Sequence, residues 1–256
     1  MILNDESTWP DDVLHYLERY HDLFRDGELR GADDTSITTY AEARSIALRY
    51  DSAVYGLRDF LNPYTLLGYH CTRLTQREID HIIATGMQLP NRAMLCSRIQ
   101  MLQDDGVIDP DVAEKLKANN QADDTNRAGM IWFCFYPPHF AGQGGIESLL
   151  GLWGGEALYR SHERDPLIGP ILRCTGVPCL IQADVPIASF PIHTFLETHV
   201  YRQFLMNRGF NTNECVHHEN RATHPIAAKN VRQVIKFPEP EFASLTGCES
   251  WSSPLA

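Results

Sequence analysis

Apolar residues at helical spacing open the chain and alternate with short apolar runs after residue 63. In residues 11–25, Val13, Leu17, Tyr20 and Phe24 fall on one face behind an acidic first turn, which predicts a helix. Residues 27–36 have turn composition. Thr39 and Glu42 then make a capping-box pattern before the stripe Ala43, Ile46, Ala47, Tyr50, Val54, Leu57, Leu61, predicting a helix over 39–61 that Asn62-Pro63 ends. The run 65–70, "TLLGYH", predicts a buried strand. Residues 75–87 form the best-punctuated helix, with Thr75 and Glu78 as its cap and Gly86 as its stop. Further helices are expected over 94–106, from Asp109-Pro110, over 145–159 with a break at Gly154-Gly155, and over 194–209 with Thr194 and Glu197 as cap. Strands are expected at 130–136, 179–185, 214–219 and 231–237, and the tail from Pro238 is loop-like. The fold class is α+β, with a helical N-terminal segment, 1–62, ahead of a mixed region, 63–256.

Charge adds one constraint. The formal net charge is −11, and residues 1–62 carry 13 acidic and 6 basic side chains. Nucleic-acid binding through bulk electrostatics is not expected, because phosphate backbones select clustered Lys and Arg. The acidic front is expected to be a solvated face. No charged segment followed by an apolar stretch opens the sequence and no run has membrane-span length, so neither a signal peptide nor a membrane partner is expected. The seven cysteines, with no C-x-x-C among them, suit free thiols in a reduced, cytoplasmic setting.

Several side chains are candidates for chemistry. Cys215, His217, His218, Glu219 and His224 are dense enough to suggest zinc, but on a strand Cys215 and His217 share a face that His218 leaves. An edge strand with no metal is the better expectation. Cys71 follows His70, and strand neighbours point to opposite faces, so His70 does not activate Cys71; His139 or His162 would have to serve as base. Among the carboxylates Glu156, Glu163, Glu197, Glu214 and Glu219, the best placed are Glu156, after two glycines, and Glu214, at a strand start. No phosphate-cradling glycine motif is present.

The order apolar strand, His70, Cys71, Thr72, Arg73, capped helix and Gly86-Met87 resembles the first motif of the ADP-ribosyltransferase fold, in the branch of diphtheria toxin and the poly(ADP-ribose) polymerases. The glycine usual after the histidine is Cys71 here. The aromatic strand 130–136 followed by the helix 145–159 resembles the second motif, and Glu214, Pro225-Ile226 and 231–237 resemble the third; the likeness spans about residues 64–238. It implies a split mixed or antiparallel sheet with peripheral helices. It implies NAD as substrate, with ADP-ribose passing to a protein or nucleic-acid acceptor or to water, in a bacterial effector, toxin or defence protein. Glu214 would stabilise the cationic sugar, as carboxylates do in glycoside hydrolysis. His70 would hold a ribose hydroxyl beside it, with Thr72 in support. One of Trp132, Tyr136, Trp153 or Tyr159 would stack on nicotinamide, with Glu156 a second-tier ligand contact. Arg73 would meet the pyrophosphate only if it left the strand's alternation. Two other classes stand beside this one: a binding module that keeps the cleft without turnover, which Cys71 in place of glycine favours, and a thiol or zinc hydrolase built on the Cys and His residues.

Overall fold

Thr75 caps a helix in the way its spacing to Glu78 predicts. Its hydroxyl accepts the Glu78 backbone N–H, and a Glu78 carboxylate oxygen accepts the Thr75 backbone N–H at 2.8 Å. The computed structural model describes residues 1–33, 40–191, 194–212 and 217–255. Three helices come first: α1 (Asp11–Arg19), α2 (His21–Asp33) and α3 (Tyr40–Leu61). The first long strand, β1 (Thr65–Leu74), runs into α4 (Gln76–Thr85), α5 (Arg92–Asp104) and α6 (Pro110–Ala118). Next come β2 (Ile131–Cys134), α7 (Gln143–Gly151), α8 (Glu156–His162), α9 (Ile168–Cys174) and β3 (Val177–Pro186). The chain then forms α10 (Leu196–Met206), β4 (Glu219–Ala222), β5 (Val231–Lys236) and α11 (Pro240–Thr246).

The strands make a single sheet in the order β4-β2-β1-β3-β5, with every neighbour antiparallel. This is an α+β fold. Its antiparallel sheet and peripheral helices are those expected of the α+β class. β1 and β3 pair from Thr65↔Pro186 to Leu74↔Val177 and form the centre.

Alternation along β1 sends its side chains into two cores. Leu66 and Leu74 join Ile131, Phe133, Phe135, Ile181 and Val185 on one face, where Val13, Leu17, Phe24, Leu57 and Leu61 of the N-terminal helices and Val200, Tyr201 and Phe204 of α10 complete the cluster. Residues 1–62 therefore share a continuous core with the sheet. On the other face, Cys71, Leu180 and Ile235 pack against Ile146 and Leu150 of α7 and Phe242 of α11. A separate cluster gathers α5, α6, α8 and α9 around Trp153.

Several elements differ from the sequence expectations, each for a packing reason. The 27–36 stretch is not a turn as far as it is described, since α2 continues through Asp33. Gly27 is there for contact, because a Cβ on it would lie 2.3 Å from the Tyr50 ring. The proposed Thr194–Glu197 cap does not form. Phe195, at φ 56°, precedes α10, and Glu197 is buried against Arg58 at 3.3 Å. The tail is not all loop: α11 begins with Pro240 at its first turn and buries Phe242. Tyr20 separates α1 from α2. The strand expected at 214–219 is described only from 217, and β4 begins at Glu219. No helix among the described residues is long and apolar enough to cross a membrane.

Candidate functional site

β1 places His70 and Thr72 on the same sheet face, with Cys71 and Arg73 on the other. The register sets a transverse row of side chains across that face: Asn220 on β4, Phe133 on β2, His70 on β1, Ile181 on β3 and Val234 on β5. The next row holds Ala222, Ile131, Thr72, Cys179 and Lys236.

His70 is half-buried, and its ring centre lies 5.9 Å from that of Phe133. Its Nδ1 donates to the Trp132 carbonyl oxygen at 2.8 Å. A carbonyl only accepts, so the proton sits on Nδ1 and the neutral ring keeps its lone pair on Nε2. Burial lowers the His70 pKa below 6.5; the Trp132 carbonyl opposes this, and the charge of Arg98 adds to it. The ring is therefore neutral at pH 7, with Nε2 a hydrogen-bond acceptor. No hydrogen bond within the described residues occupies Nε2 or the Thr72 hydroxyl.

Beyond the end of β1, Glu78 collects four donors. Its Oε2 accepts from Thr75 N, Thr75 Oγ1 at 3.0 Å and Trp153 Nε1 at 3.0 Å, while Oε1 accepts from Arg98 Nε at 2.5 Å. Burial alone would raise the Glu78 pKa, but Arg98 and the N–H donors outweigh it and hold the carboxyl below 4.5. Arg98 also lies over the Trp153 ring, 4.7 Å from its centre.

The other sequence candidates are dispersed. Glu214 and Cys215 lie outside the described residues. Trp153 is fully enclosed in the helical cluster and presents no face to a ligand. Tyr136 is buried in the main core, where its hydroxyl donates to Gln203 Oε1 at 3.0 Å. Trp132 is 40% exposed, but alternation turns its side chain to the face opposite His70, where Arg221 lies 5.2 Å from the ring centre. Glu156 begins α8 in ion pairs with Arg127 and Arg160, both at 3.2 Å, and accepts a long bond from the Tyr159 hydroxyl. The aromatic ring that the fold sets beside His70 is Phe133, not one of the four expected aromatics. Arg73 is buried on the opposite face and donates to Thr175 O at 2.8 Å, which removes it from any ligand on the His70 side.

Cys71 packs with Cys134, and that contact together with burial pushes its thiol up, well above the usual range, so little thiolate forms at pH 7. The described cysteines are all free. Among the described residues no group of three His, Cys, Asp or Glu side chains converges to hold a metal. His218 packs against His199 of α10, ring centres 4.4 Å apart and planes tilted by 43°.

Sequence spacing missed Phe133, Asn220, Arg98 and His199. The first two needed the β1–β2–β4 register, and the other two needed the packing of α5 and α10. A cavity of about 490 Å³ lies elsewhere, between α1–α2 and α3, lined by Tyr20, Leu23, Leu48 and Arg49.

One antiparallel sheet with flanking helices supports many activities, so this architecture does not by itself indicate an ADP-ribosyltransferase. Set against models of known protein families, curated proteins and solved structures, the chain matches none.

Proposed function

We propose that this chain cleaves NAD and transfers the ADP-ribosyl group to a macromolecule or to water. One observation supports this above the others: His70 is tethered through Nδ1 with Nε2 unoccupied, on the same face as Thr72. A neutral imidazole in that state accepts a hydrogen bond from a sugar hydroxyl, and the Thr72 hydroxyl, on the same face, would engage the same sugar. In the reaction the bond between C1′ and the nicotinamide nitrogen breaks. Its electron pair leaves with nicotinamide, and positive charge develops on the ribose. An acceptor hydroxyl or water then bonds to C1′ and gives up its proton. Glu214 is the carboxylate assigned to stabilise the cation, on the strength of its place in the sequence motif.

The test is nicotinamide release from NAD by the purified chain, beside His70→Ala and Glu214→Ala. Release by the wild type with a loss of at least about 100-fold in both variants is expected, the scale of one transition-state contact. Three equally inert proteins that bind no NAD would sink the proposal. Binding of NAD without turnover would favour the non-catalytic module instead.

A further inference from the structure

The geometry points to a redox modification site behind His70: Cys134 is the entry thiol, and Cys71 closes a reversible disulfide onto it. The cross-strand register places the pair. Tyr69 lies opposite Cys134, and Cys71 is two residues on from Tyr69, so Cys71 and Cys134 are diagonal neighbours on one sheet face. Both side chains enter the same cluster under α7 and α11. The other described cysteines are not so placed. Cys179 on β3 is opposite Thr72 and faces the other way. Cys248 shares the cluster but follows α11, and Cys96 and Cys174 are on α5 and α9.

Exposure sets the order of events. Cys134 is partly exposed and lines a shallow crevice with Tyr136, Phe140, His217 and Glu219, whereas Cys71 is buried. The co-reactant is a small disulfide of the class of oxidised glutathione. Cys134 gives its proton to solvent, and its sulfur attacks one sulfur of that disulfide; the first glutathione leaves as thiolate and takes up a proton. Cys71 then loses its proton and attacks Cys134 Sγ, and the second glutathione leaves in the same way. Two protein thiols are oxidised by two electrons and one small disulfide is reduced to two thiols. The buried thiol needs no access of its own, because its attack is intramolecular.

The sheet is weakest where this bond would form. β1 and β3 pair from end to end, but β1 meets β2 at the single registered pair Tyr69↔Cys134. Diagonal Cα atoms in a regular sheet are about 7–8 Å apart, whereas a disulfide favours about 5.5–6 Å. The two strands must therefore close slightly, which a seam with one registered pair allows. The resulting bond is strained, and strained disulfides are the readily reduced ones, so the pair acts as a switch and not as a permanent staple. It lies on the reverse of the sheet from His70, whose ring is tied to the same seam through the Trp132 carbonyl. No step involves NAD, so the site stands or falls apart from the proposed function.

The experiment treats the folded, reduced chain with oxidised glutathione, quenches with acid and an alkylating agent, and maps the digest by mass spectrometry. Wild type should give a peptide joining Cys71 to Cys134 with the loss of two hydrogens, and dithiothreitol should restore both thiols. Cys71→Ala should stop at one glutathione on Cys134. In Cys134→Ala the oxidation of Cys71 should slow at least about 10-fold, because the buried thiol loses its route to the oxidant. Melting curves confirm that both variants fold, and the wild-type map decides the pairing without them. Absence of the Cys71–Cys134 peptide, its formation only in urea, or Cys134 joined to another cysteine instead would each overturn the site. Equal oxidation of Cys71 in wild type and Cys134→Ala would overturn the role of Cys134 as entry thiol.

Discussion

His70 donates its Nδ1–H to the Trp132 carbonyl, so one bond both ties β1 to β2 and decides which ring nitrogen faces the site. Asparagine at 70 carries an amide N–H close to the Nδ1 position and nothing at Nε2. His70→Asn should therefore keep stability within about 1 kcal/mol, the scale of one hydrogen bond, while nicotinamide release falls as far as in His70→Ala. Urea titration and the release assay on the same preparation separate the two roles. A variant that turns over NAD normally would show that Nε2 holds no substrate.

The buried His199–His218 pair should make the protein sensitive to acid. Burial lowers His218 to about 3 and His199 to about 4. In the unfolded chain both titrate near 6.5. Between those values the unfolded chain takes up protons that the folded one refuses. Stability is complete above pH 6.5 and falls as pH drops toward 4 and 3, by about 1.4 kcal/mol per pH unit for each proton. His218 Nε2 is buried without a partner, so losing the ring forfeits no hydrogen bond from that atom. His218→Leu should match wild type at pH 7 within about 1 kcal/mol and unfold less steeply on acidification. Acid titration followed by circular dichroism checks this, and identical acid limbs would refute it.

Glu78 is the joint between the sheet and the helical cluster. Replacing it with Gln removes the charge facing Arg98 and puts an amide donor among other donors. Breaking a largely buried ion pair by changing one partner costs about 3 kcal/mol. Removal of the cap hydroxyl alone, in Thr75→Ala, costs about 1 kcal/mol. Glu78→Gln should thus lower the urea midpoint clearly more than Thr75→Ala. Because the Glu78 carboxyl sits below 4.5, its contribution is present above pH 4.5 and is lost as pH falls through the lowered value. Equal midpoints for the two variants would assign Glu78 to capping alone.

Local signals carried well wherever the chain settles its own geometry. Thr75, Glu78 and Gly86 specify α4 through hydrogen bonds within a few residues, and the structure has all of them. The alternation His70, Cys71, Thr72 follows from strand geometry and sends each side chain to the expected face. Legibility ended where partners are distant in sequence. Thr194 and Glu197 carry a capping pattern, but Arg58 claims Glu197. Gly27 has turn composition, yet Tyr50 packs over it inside a helix. Choosing Phe133 over Trp132 depended on pairing with a strand 62 residues away from His70. A strand of alternating aromatics names two faces without saying which one meets the histidine.

Gly86 links the end of α4 to the segment leading into β5, and the tightness of that link is testable. Its N–H donates to Ile82 O at 2.8 Å, and the next residue, Met87, exchanges two backbone bonds with Ile226. The backbone at Gly86 has φ +84°, and a Cβ there would fall 2.1 Å from Ile226 O and 2.7 Å from Ala228 N. Both obstacles are main chain, so no rotamer change relieves them. Gly129 is a control: φ is +71°, but nothing lies within 4 Å of its Cβ position. Gly129→Ala pays only the positive-φ penalty, about 1 kcal/mol, whereas Gly86→Ala meets the collision on a backbone (ψ −174°) that essentially only glycine adopts and should cost about 3 kcal/mol. Because Met87 and Ile226 belong to the core that backs His70, Gly86→Ala should also speed hydrogen exchange at Met87 N, while Gly129→Ala leaves that amide protected. Equal losses from the two substitutions would mean that α4 can move away from residues 226–228 at no cost.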